Sequence, residues 1–232
     1  MLRCEELNNI RQNMARSPTP RSAATRRKKS KTSSSANRAR SRLPQDERRA
    51  QMVRFALKVT AQKGLGRLVH ADVARAAKVS TPTAFFYFPD REALVKAVIL
   101  EVDQFYRAMA VQAHGSSHPP RQRIRDHMFI FADSIETDPD YALVWHEWST
   151  LFRNDFGLWD MFIDFQNFVI GQFAKSVRSG HKDGTIPSRV SAVNVARQML
   201  AGAYMITQMK LMKRSRSLVK SYLDQSIEQA LA

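Results

Sequence analysis

The chain has little of what secreted and membrane proteins need. Its single cysteine among 232 residues, Cys4, cannot form an intramolecular disulfide, which is typical of proteins from a reducing compartment. No apolar run reaches the roughly 18–20 residues that a membrane-spanning helix requires. Glu5 and Glu6 also interrupt any signal-peptide core near the start. We therefore expect a bacterial-type cytoplasmic chain that does not enter a membrane.

Catalytic and metal-binding motifs are missing as well. The sequence contains no GxSxG elbow, no glycine-rich phosphate loop and no paired-carboxylate motif. His114 and His118 have the spacing of helical metal ligands, but Gly115 and Pro119 argue against a helix that would align them. We expect no catalytic site, no metal and no cofactor. An enzyme built on a helical bundle is the alternative that these absences disfavour.

Positive charge is present in excess and unevenly spread. Lys and Arg number 37 against 21 Asp and Glu, a formal charge of +16. Residues 1–49 contain 14 of the basic residues and only four acidic ones, a net charge of +10. Such asymmetry is typical of a basic arm that meets a polyanion. Residues 1–42 are also poor in apolar side chains and should be disordered when free, because they cannot offset the entropy of ordering.

Apolar spacing in the rest of the chain predicts helices throughout. Met52, Phe55, Ala56 and Val59 recur at helical spacing, and Gly64 supplies a stop. Period-two alternation with turn signals is absent, so we expect an all-α protein of about nine helices. A long helix is predicted over about 91–114, followed by five more over about 121–137, 140–152, 158–180, 189–213 and 217–231.

Residues 70–95 have the order of a helix-turn-helix. A short helix is predicted from Asp72 to Lys78, and Val79 closes the turn. Ser80 then occupies the N-cap position of a second helix, and Pro82 falls in its first turn, where a missing N–H costs nothing. In this motif the second helix lies in the major groove of DNA. The alternative is a plain helical hairpin with an aromatic core.

The same segment resembles the DNA-binding signature of the TetR family of bacterial transcription regulators. The matching residues are Val79-Ser80, Pro82, Phe85, Tyr87-Phe88, Arg91-Glu92 and Leu94. Residues 38–95 further resemble, without a gap, the quorum-sensing master regulators of vibrios, the LuxR type of the TetR fold. The segment VWHEWS, residues 144–149, is similar to a Trp-x-x-Trp segment in the ligand-binding domain of that branch.

The resemblance implies three parts and a set of DNA contacts. The parts are a disordered basic tail and arm (1–42), a three-helix helix-turn-helix domain (43–90) and a helical bundle for ligand binding and dimerisation (91–232). Hydroxyls and aromatic rings of the second motif helix would reach phosphates, sugars and base edges. The expected DNA-binding residues are Arg40, Arg42, Ser80, Thr81, Pro82, Thr83, Phe85, Phe86, Tyr87 and Arg91.

Two of these assignments have open alternatives. Arg40 and Arg42 would enter an A·T-rich minor groove if they act like the matching arginines of the vibrio regulators. Otherwise they belong to a basic tail that gives only salt-dependent, non-specific attraction. Phe86 stands where the vibrio branch has Asn, so its contact with DNA would differ. Phe88, by its position in the family pattern, is expected in the core.

The aromatic-rich C-terminal part is expected to hold a small apolar ligand. By resemblance, a pocket between the bundle helices would be lined by Phe131, Trp145, Trp148, Phe162 and Gln166. Core packing alone is the alternative for each of these side chains. The last two helices combine small and methionine residues that suit close helix contact. They form either intramolecular core or, by resemblance, a homodimer interface through Met199, Ala203, Ile206, Tyr222 and Leu223.

The predicted function is sequence-specific binding of double-stranded DNA by a homodimeric regulator, with a quorum-sensing-like global role and a nucleoid location. Three alternatives remain at this point. The first is a local, ligand-responsive repressor of an efflux or catabolic operon, which shares the fold. The second is a non-specific, nucleoid-type DNA-binding protein driven by the basic tail. The third is the helical-bundle enzyme.

Overall fold

The structure, a computed structural model, describes residues 44–150 and 157–232. Within these residues it contains nine α-helices, one short 3₁₀ turn at Leu65–Arg67 and no β-strand. The predicted all-α class is therefore confirmed. In chain order the helices are α1 (Gln45–Lys63), α2 (His70–Ala77), α3 (Thr81–Tyr87), α4 (Arg91–Gly115), α5 (Pro120–Thr137), α6 (Pro139–Trp148), α7 (Leu158–Asp183), α8 (Ala192–Leu211) and α9 (Arg216–Ala230).

The first helix begins and ends at the predicted signals. α1 starts directly after Pro44, with Asp46 and Glu47 in its first turn, where carboxylates suit the positive end of the helix. It ends at Gly64, whose φ of +90° favours glycine and whose N–H donates to the Thr60 carbonyl at 2.7 Å. Met52, one of the predicted core residues, is fully buried.

Helices α2 and α3 form the predicted helix-turn-helix. α2 begins at His70, two residues before the predicted start, and Lys78 closes it in the left-handed region at φ +55°. The N–H of Val79 then donates to the Ala74 carbonyl at 3.0 Å, which satisfies a carbonyl at the helix end. Ser80 caps α3 by accepting the Thr83 N–H at 3.3 Å, as its position predicted. Phe88 is fully buried, also as predicted.

Helix α4 connects the N-terminal helices with the C-terminal ones. Asp90 caps it by accepting the Ala93 N–H at 2.7 Å. The predicted apolar side is buried along its whole length, from Leu94 through Val98 and Val102 to Phe105. Helices α5, α6 and α7 pack against α4, α8 packs against α5 and α7, and α9 packs against α5 and α8. The core there holds large side chains, among them Trp145, Trp148, Phe162 and Phe173.

Two predicted helix ends differ from the observed ones. α6 ends at Trp148, before the predicted end near 152, and residues 151–156 lie outside the described chain. α7 continues beyond the predicted end at 180 to Asp183. Gly180 therefore lies inside the helix and does not end it. A Cβ at Gly180 would lie 2.5 Å from Ile186 Cδ1, so the missing side chain is what lets Ile186 pack there. None of the described helices is long and apolar enough to span a bilayer.

Candidate nucleic-acid interface and ligand cavity

Helix α3 presents a mixed hydroxyl and aromatic surface. Its inward residue Ala84 is buried, whereas Thr81 and Pro82 are exposed and Thr83 is half-buried. Phe86 is 68% exposed. Contact of a large apolar ring with water is unfavourable, and exposed rings of this kind occur at binding surfaces. The face therefore combines hydrogen-bonding groups with an apolar ring that could meet sugars or thymine methyl groups.

One face of the Phe85 ring packs against His70, which the sequence did not indicate as part of the site. The Phe85 and His70 rings stack with centroids 3.9 Å apart and an interplanar angle of 8°. His70 is buried, and its Nε2 forms a hydrogen bond of 2.7 Å with the Phe88 carbonyl. Phe85 remains 46% exposed on its other side. The ring is thus fixed in place before any DNA arrives.

Two expected DNA contacts have intramolecular roles in the structure. Tyr87, expected to face outward, is half-buried and packs against the core. The Ser80 hydroxyl bonds the Thr83 backbone and also lies 2.8 Å from the Thr83 hydroxyl. Ser80 is still exposed, so it combines a capping role with access to solvent.

Arg91 is occupied by backbone carbonyls. Its Nη2 donates to the carbonyls of Leu65 at 3.0 Å and Gly66 at 2.9 Å, and its Nε donates to that of Leu68 at 3.3 Å. These bonds tie the start of α4 to the 3₁₀ turn and the segment before α2. The structure therefore shows Arg91 bracing the helix-turn-helix, a role that the sequence reading did not anticipate. Arg40 and Arg42 lie outside the described residues.

A second link joins the 3₁₀ turn to the C-terminal helices. The carboxylate of Glu147, on α6, accepts the Leu65 N–H through both oxygens, at 2.9 and 2.8 Å. A Cβ at Gly64 would lie only 3.0 Å from Glu147 Oε1, so the glycine also makes room for the carboxylate. Leu65 is thus held by Arg91 at its carbonyl and by Glu147 at its N–H. Neither residue belongs to the turn itself.

A small cavity lies between α4, α5, α6, α7 and α8. Its volume is about 20 Å³, which is room for one water molecule. Phe131 and Trp145, two of the expected pocket residues, line it. Their rings lie 5.5 Å apart in an edge-to-face arrangement.

The other three expected pocket residues, Trp148, Phe162 and Gln166, do not line this cavity and make contacts elsewhere. Trp148 points toward the start of α7, where its Nε1 donates to the Leu158 carbonyl at 2.9 Å. Phe162 packs edge-to-face on Trp148 with centroids 5.1 Å apart. Gln166 donates to the Tyr204 hydroxyl at 2.9 Å. These three side chains leave their helices in directions that do not face the cavity.

A buried pair of histidines forms part of the cavity surroundings. His127 lines the cavity and stacks on Phe173, with centroids 4.5 Å apart and an angle of 2°. His127 Nδ1 lies 2.9 Å from His114 Nε2, and His114 Nδ1 lies 2.8 Å from Ser176 Oγ. Burial lowers the pKa of His127 well below its usual value and that of His114 to about 4. Both rings are therefore neutral near pH 7.

The expected dimer residues lie mostly inside the chain. Met199, Ile206 and Leu223 are fully buried, and Ala203 lines the cavity together with Met199. Tyr222 is half-buried. These four buried side chains therefore offer little free surface in the single chain. The apolar side chains that α8 and its C-terminal end do expose are Val193, Ala201, Met205, Leu211 and Met212, named here the exposed α8 face.

Comparison with known proteins adds family relationships to this geometry. The family described as "Bacterial regulatory proteins, tetR family" matches residues 53–98, from α1 into α4. The HTH-type transcriptional regulator LuxR of Vibrio harveyi is 34% identical over 150 residues, which cover 62% of this chain and 72% of that protein.

Solved structures share the whole architecture. A TetR-family regulator from Rhodococcus sp. has a TM-score of 0.71 at 22% identity, over 80% of this chain and 100% of that one. The regulator FadR from Bacillus subtilis, solved in complex with stearoyl-CoA, has a TM-score of 0.62 at 16% identity, over 79% of this chain and 97% of that one. At these identities the likeness concerns the fold.

Proposed function

The chain belongs to the TetR family of bacterial regulatory proteins, and we propose that it binds DNA sequence-specifically as a homodimer through α3. The observation that carries this proposal is the exposed face of α3. It displays Thr81, Pro82 and the strongly exposed Phe86 on a helix capped by Ser80. A short, capped and braced helix of this kind can enter a major groove without first being ordered.

The proposed contacts divide by chemistry. Ser80 and Thr81 at the start of α3 would bind phosphates, since hydroxyls and helix N-termini suit anions. Thr83, Phe85 and Phe86 would meet base edges, sugars or thymine methyl groups. Arg40 and Arg42, which precede α1 in sequence, would follow an adjacent minor groove.

We keep the division into a basic tail and arm (1–42), a DNA-binding domain (43–90) and a bundle for ligand and dimer contacts (91–232) as part of this proposal. The charge distribution supports it, because the net +10 of residues 1–49 lies directly before the first helix. A basic arm at that place would raise general affinity for the phosphate backbone.

The homodimer would form through the exposed α8 face. Met205 is 49% and Met212 64% exposed in the single chain, and such apolar area is usually covered in solution. Leu218, exposed near the start of α9, would extend the same contact. A two-fold axis there would place two copies of α3 on two half-sites, as helix-turn-helix dimers require.

Two regulatory roles fit this scheme. Similarity to LuxR of Vibrio harveyi supports a quorum-sensing-like global regulator, as the sequence resemblance implies. The cavity beside Trp145 supports the second candidate, a local repressor whose DNA affinity responds to a ligand. In both, the bond from Glu147 to Leu65 would carry changes in α6 to the helix-turn-helix.

Selection of bound sequences from a random DNA library, with the full chain, tests the DNA-binding proposal. We expect enrichment of a two-fold symmetric sequence whose half-sites lie about one helical turn apart, roughly 10 base pairs. Enrichment should persist when the salt concentration is raised, whereas binding to random DNA should weaken steeply. If no sequence is enriched and all affinity disappears with salt, the chain is a non-specific DNA-binding protein.

A further inference from the structure

Two polar groups on the cavity wall have no hydrogen-bond partner. Tyr106 and Trp145 both line the cavity. The Tyr106 hydroxyl and the Trp145 Nε1 are buried, and neither makes a hydrogen bond of normal geometry with any described residue. Unpaired buried donors are rare because burial removes their water without replacing it. Two such groups on one cavity mark a place where an acceptor is missing.

The rings that carry the two donors are neighbours, and the Tyr106 phenol keeps its proton. The Tyr106 and Trp145 rings lie 6.1 Å apart, and Phe131 stands 5.5 Å from each of them. Burial raises the pKa of the Tyr106 phenol, so its proton stays in place, while nearby Ser134 lowers that pKa slightly without forming a well-shaped hydrogen bond. The Ser134 hydroxyl itself donates to the Phe131 carbonyl at 2.7 Å.

The cavity offers nothing to pair with a charged ligand. No Lys, Arg, Asp or Glu lines it. His127, the titratable ring on its wall, is kept neutral by burial and bonded to His114, which in turn meets Ser176. The groups near the two donors are rings, the Ser134 hydroxyl and the buried Asp138 carboxylate, whose negative charge further raises the pKa of Tyr106. A carboxylate placed here would lose its water without gaining a counter-charge.

Flexible side chains on the cavity wall could move to admit a molecule larger than water. Met128, Met199 and Leu200 line the cavity, and thioether side chains adapt readily to new shapes. Met128 Cε lies beside Gly202, 3.5 Å from the place of a glycine Cβ. Movement of this methyl group along the glycine would enlarge the cavity without disturbing the helix backbones.

We propose that this cavity binds a small, neutral and largely apolar molecule with a hydrogen-bond-accepting oxygen, such as a ketone or an ester, and that Tyr106 and Trp145 donate to that oxygen. The inference rests on the ligand site of the proposed function and narrows its chemistry. A neutral carbonyl compound should bind more tightly than a hydrocarbon, because a hydrocarbon would leave both donors unpaired. It should also bind more tightly than a free carboxylate, which finds no cation.

Three probes of similar size separate these chemistries: acetophenone, isopropylbenzene and benzoate. Calorimetric titration of the full chain should show acetophenone binding at least about tenfold more tightly than either of the others. Tyr106→Phe and Trp145→Phe should each remove most of that preference and leave the affinity for isopropylbenzene unchanged. Trp148→Phe is the matched control, because its indole donates to Leu158 outside the cavity; it should keep the preference.

Each other result overturns the proposal in a recognisable way. Equal or tighter binding of isopropylbenzene shows that the donors do not select the ligand. Tighter binding of benzoate shows an anionic site. A preference that survives both cavity variants places recognition elsewhere, and absence of binding by all three probes removes this ligand class. Tyr106→Phe deletes a single hydroxyl and keeps the test valid if the tryptophan variant fails to fold. Retained DNA binding in the same preparation shows that the DNA-binding proposal stands whatever the probes do.

Discussion

Arg91 and Phe86 stand five positions apart, and the structure directs their side chains to different tasks. The guanidinium of Arg91 bonds three backbone carbonyls at 2.9 to 3.3 Å. Phe86 is largely exposed and rests on Tyr87 in an edge-to-face contact of 5.1 Å. A positive charge beside a recognition helix suggests a phosphate contact, but its hydrogen bonds here go to the protein. The Phe86 ring therefore remains available for contact with DNA, whereas Arg91 stabilises the helix-turn-helix. Residue type alone suggests the opposite.

We predict that Arg91→Ala lowers the free energy of unfolding by about 1–3 kcal/mol, because buried carbonyls lose a charged donor. Phe86→Ala should change that free energy by less than about 0.5 kcal/mol, since the ring is exposed. It should still weaken binding to the selected DNA site about tenfold, or about 1.4 kcal/mol. Urea unfolding and mobility-shift titration measure the two quantities. An Arg91→Ala variant of normal stability that loses DNA affinity would instead place Arg91 on the DNA.

Sequence patterns predicted some residues of the site well and others not at all. Ser80 as a cap followed from local chemistry, because a hydroxyl before a helix with proline in its first turn suits the N-cap, whereas Phe88 as core followed from the family resemblance. His70 under Phe85 could not be predicted, because the stack depends on how two helices pack. The same reason explains why the orphan donor of Tyr106 was missed.

Helix α6 connects the N-terminal helices with the C-terminal ones. It begins after Asp138, carries Trp145 into the cavity wall, and two residues later directs Glu147 to the 3₁₀ turn. His146, between them, lies 3.1 Å from Gln208 on α8. Residues 145–147 thus contact the cavity, α8 and the 3₁₀ turn that precedes the helix-turn-helix. A shift of α6 would be felt at all three places.

We predict that Glu147→Ala lowers the free energy of unfolding by about 1–3 kcal/mol, because the Leu65 N–H loses a charged acceptor. Affinity for the selected DNA site should fall as well, since the turn before α2 loosens. Glu147→Gln should lose less, because its amide oxygen can still accept one N–H. Glu92→Ala is the matched control: its carboxylate pairs with Lys96 on an exposed helix face, where such pairs contribute only about 0.2–0.5 kcal/mol.

Urea unfolding and mobility-shift titration again provide the readouts. Equal effects of the Glu147 and Glu92 substitutions would show that the bond to Leu65 contributes nothing beyond a surface ion pair.

Helix existence was easier to predict than helix orientation. The apolar period located every described helix and buried the predicted side of α4. It could not tell which buried aromatic ring faces a cavity: of the two tryptophans expected there, Trp145 lines the cavity and Trp148 does not. Nor could it separate core from interface on α8, because both faces are apolar at the same spacing. Met199 proved internal, whereas Met205 one and a half turns later is exposed.

At the scale of the whole molecule, the basic tail, α3 and the dimer would contribute together to DNA binding. On the proposed function the basic tail would raise attraction to any DNA, the face of α3 would supply sequence preference, and a second copy would double the number of contacts. The exposed α8 face would hold the two copies at a fixed distance. On this account affinity for a specific site depends on the dimer, because one short helix offers too few contacts to bind alone.

Affinity for a two-fold DNA site compared with one half-site, measured for the wild type and for Met205→Glu, tests this account most directly. Met205 is exposed in the protomer, so the glutamate should leave the fold intact but put an unpaired charge into the interface, at a cost of several kcal/mol. Val111→Glu, exposed on α4 outside that face, is the control. The wild type and the control should bind the two-fold site at least about a hundredfold more tightly than the half-site, whereas Met205→Glu should bind both equally weakly. A wild type that binds the half-site as tightly as the full site, or a Met205→Glu variant that behaves like wild type, would contradict a dimer that reads DNA through two copies of α3.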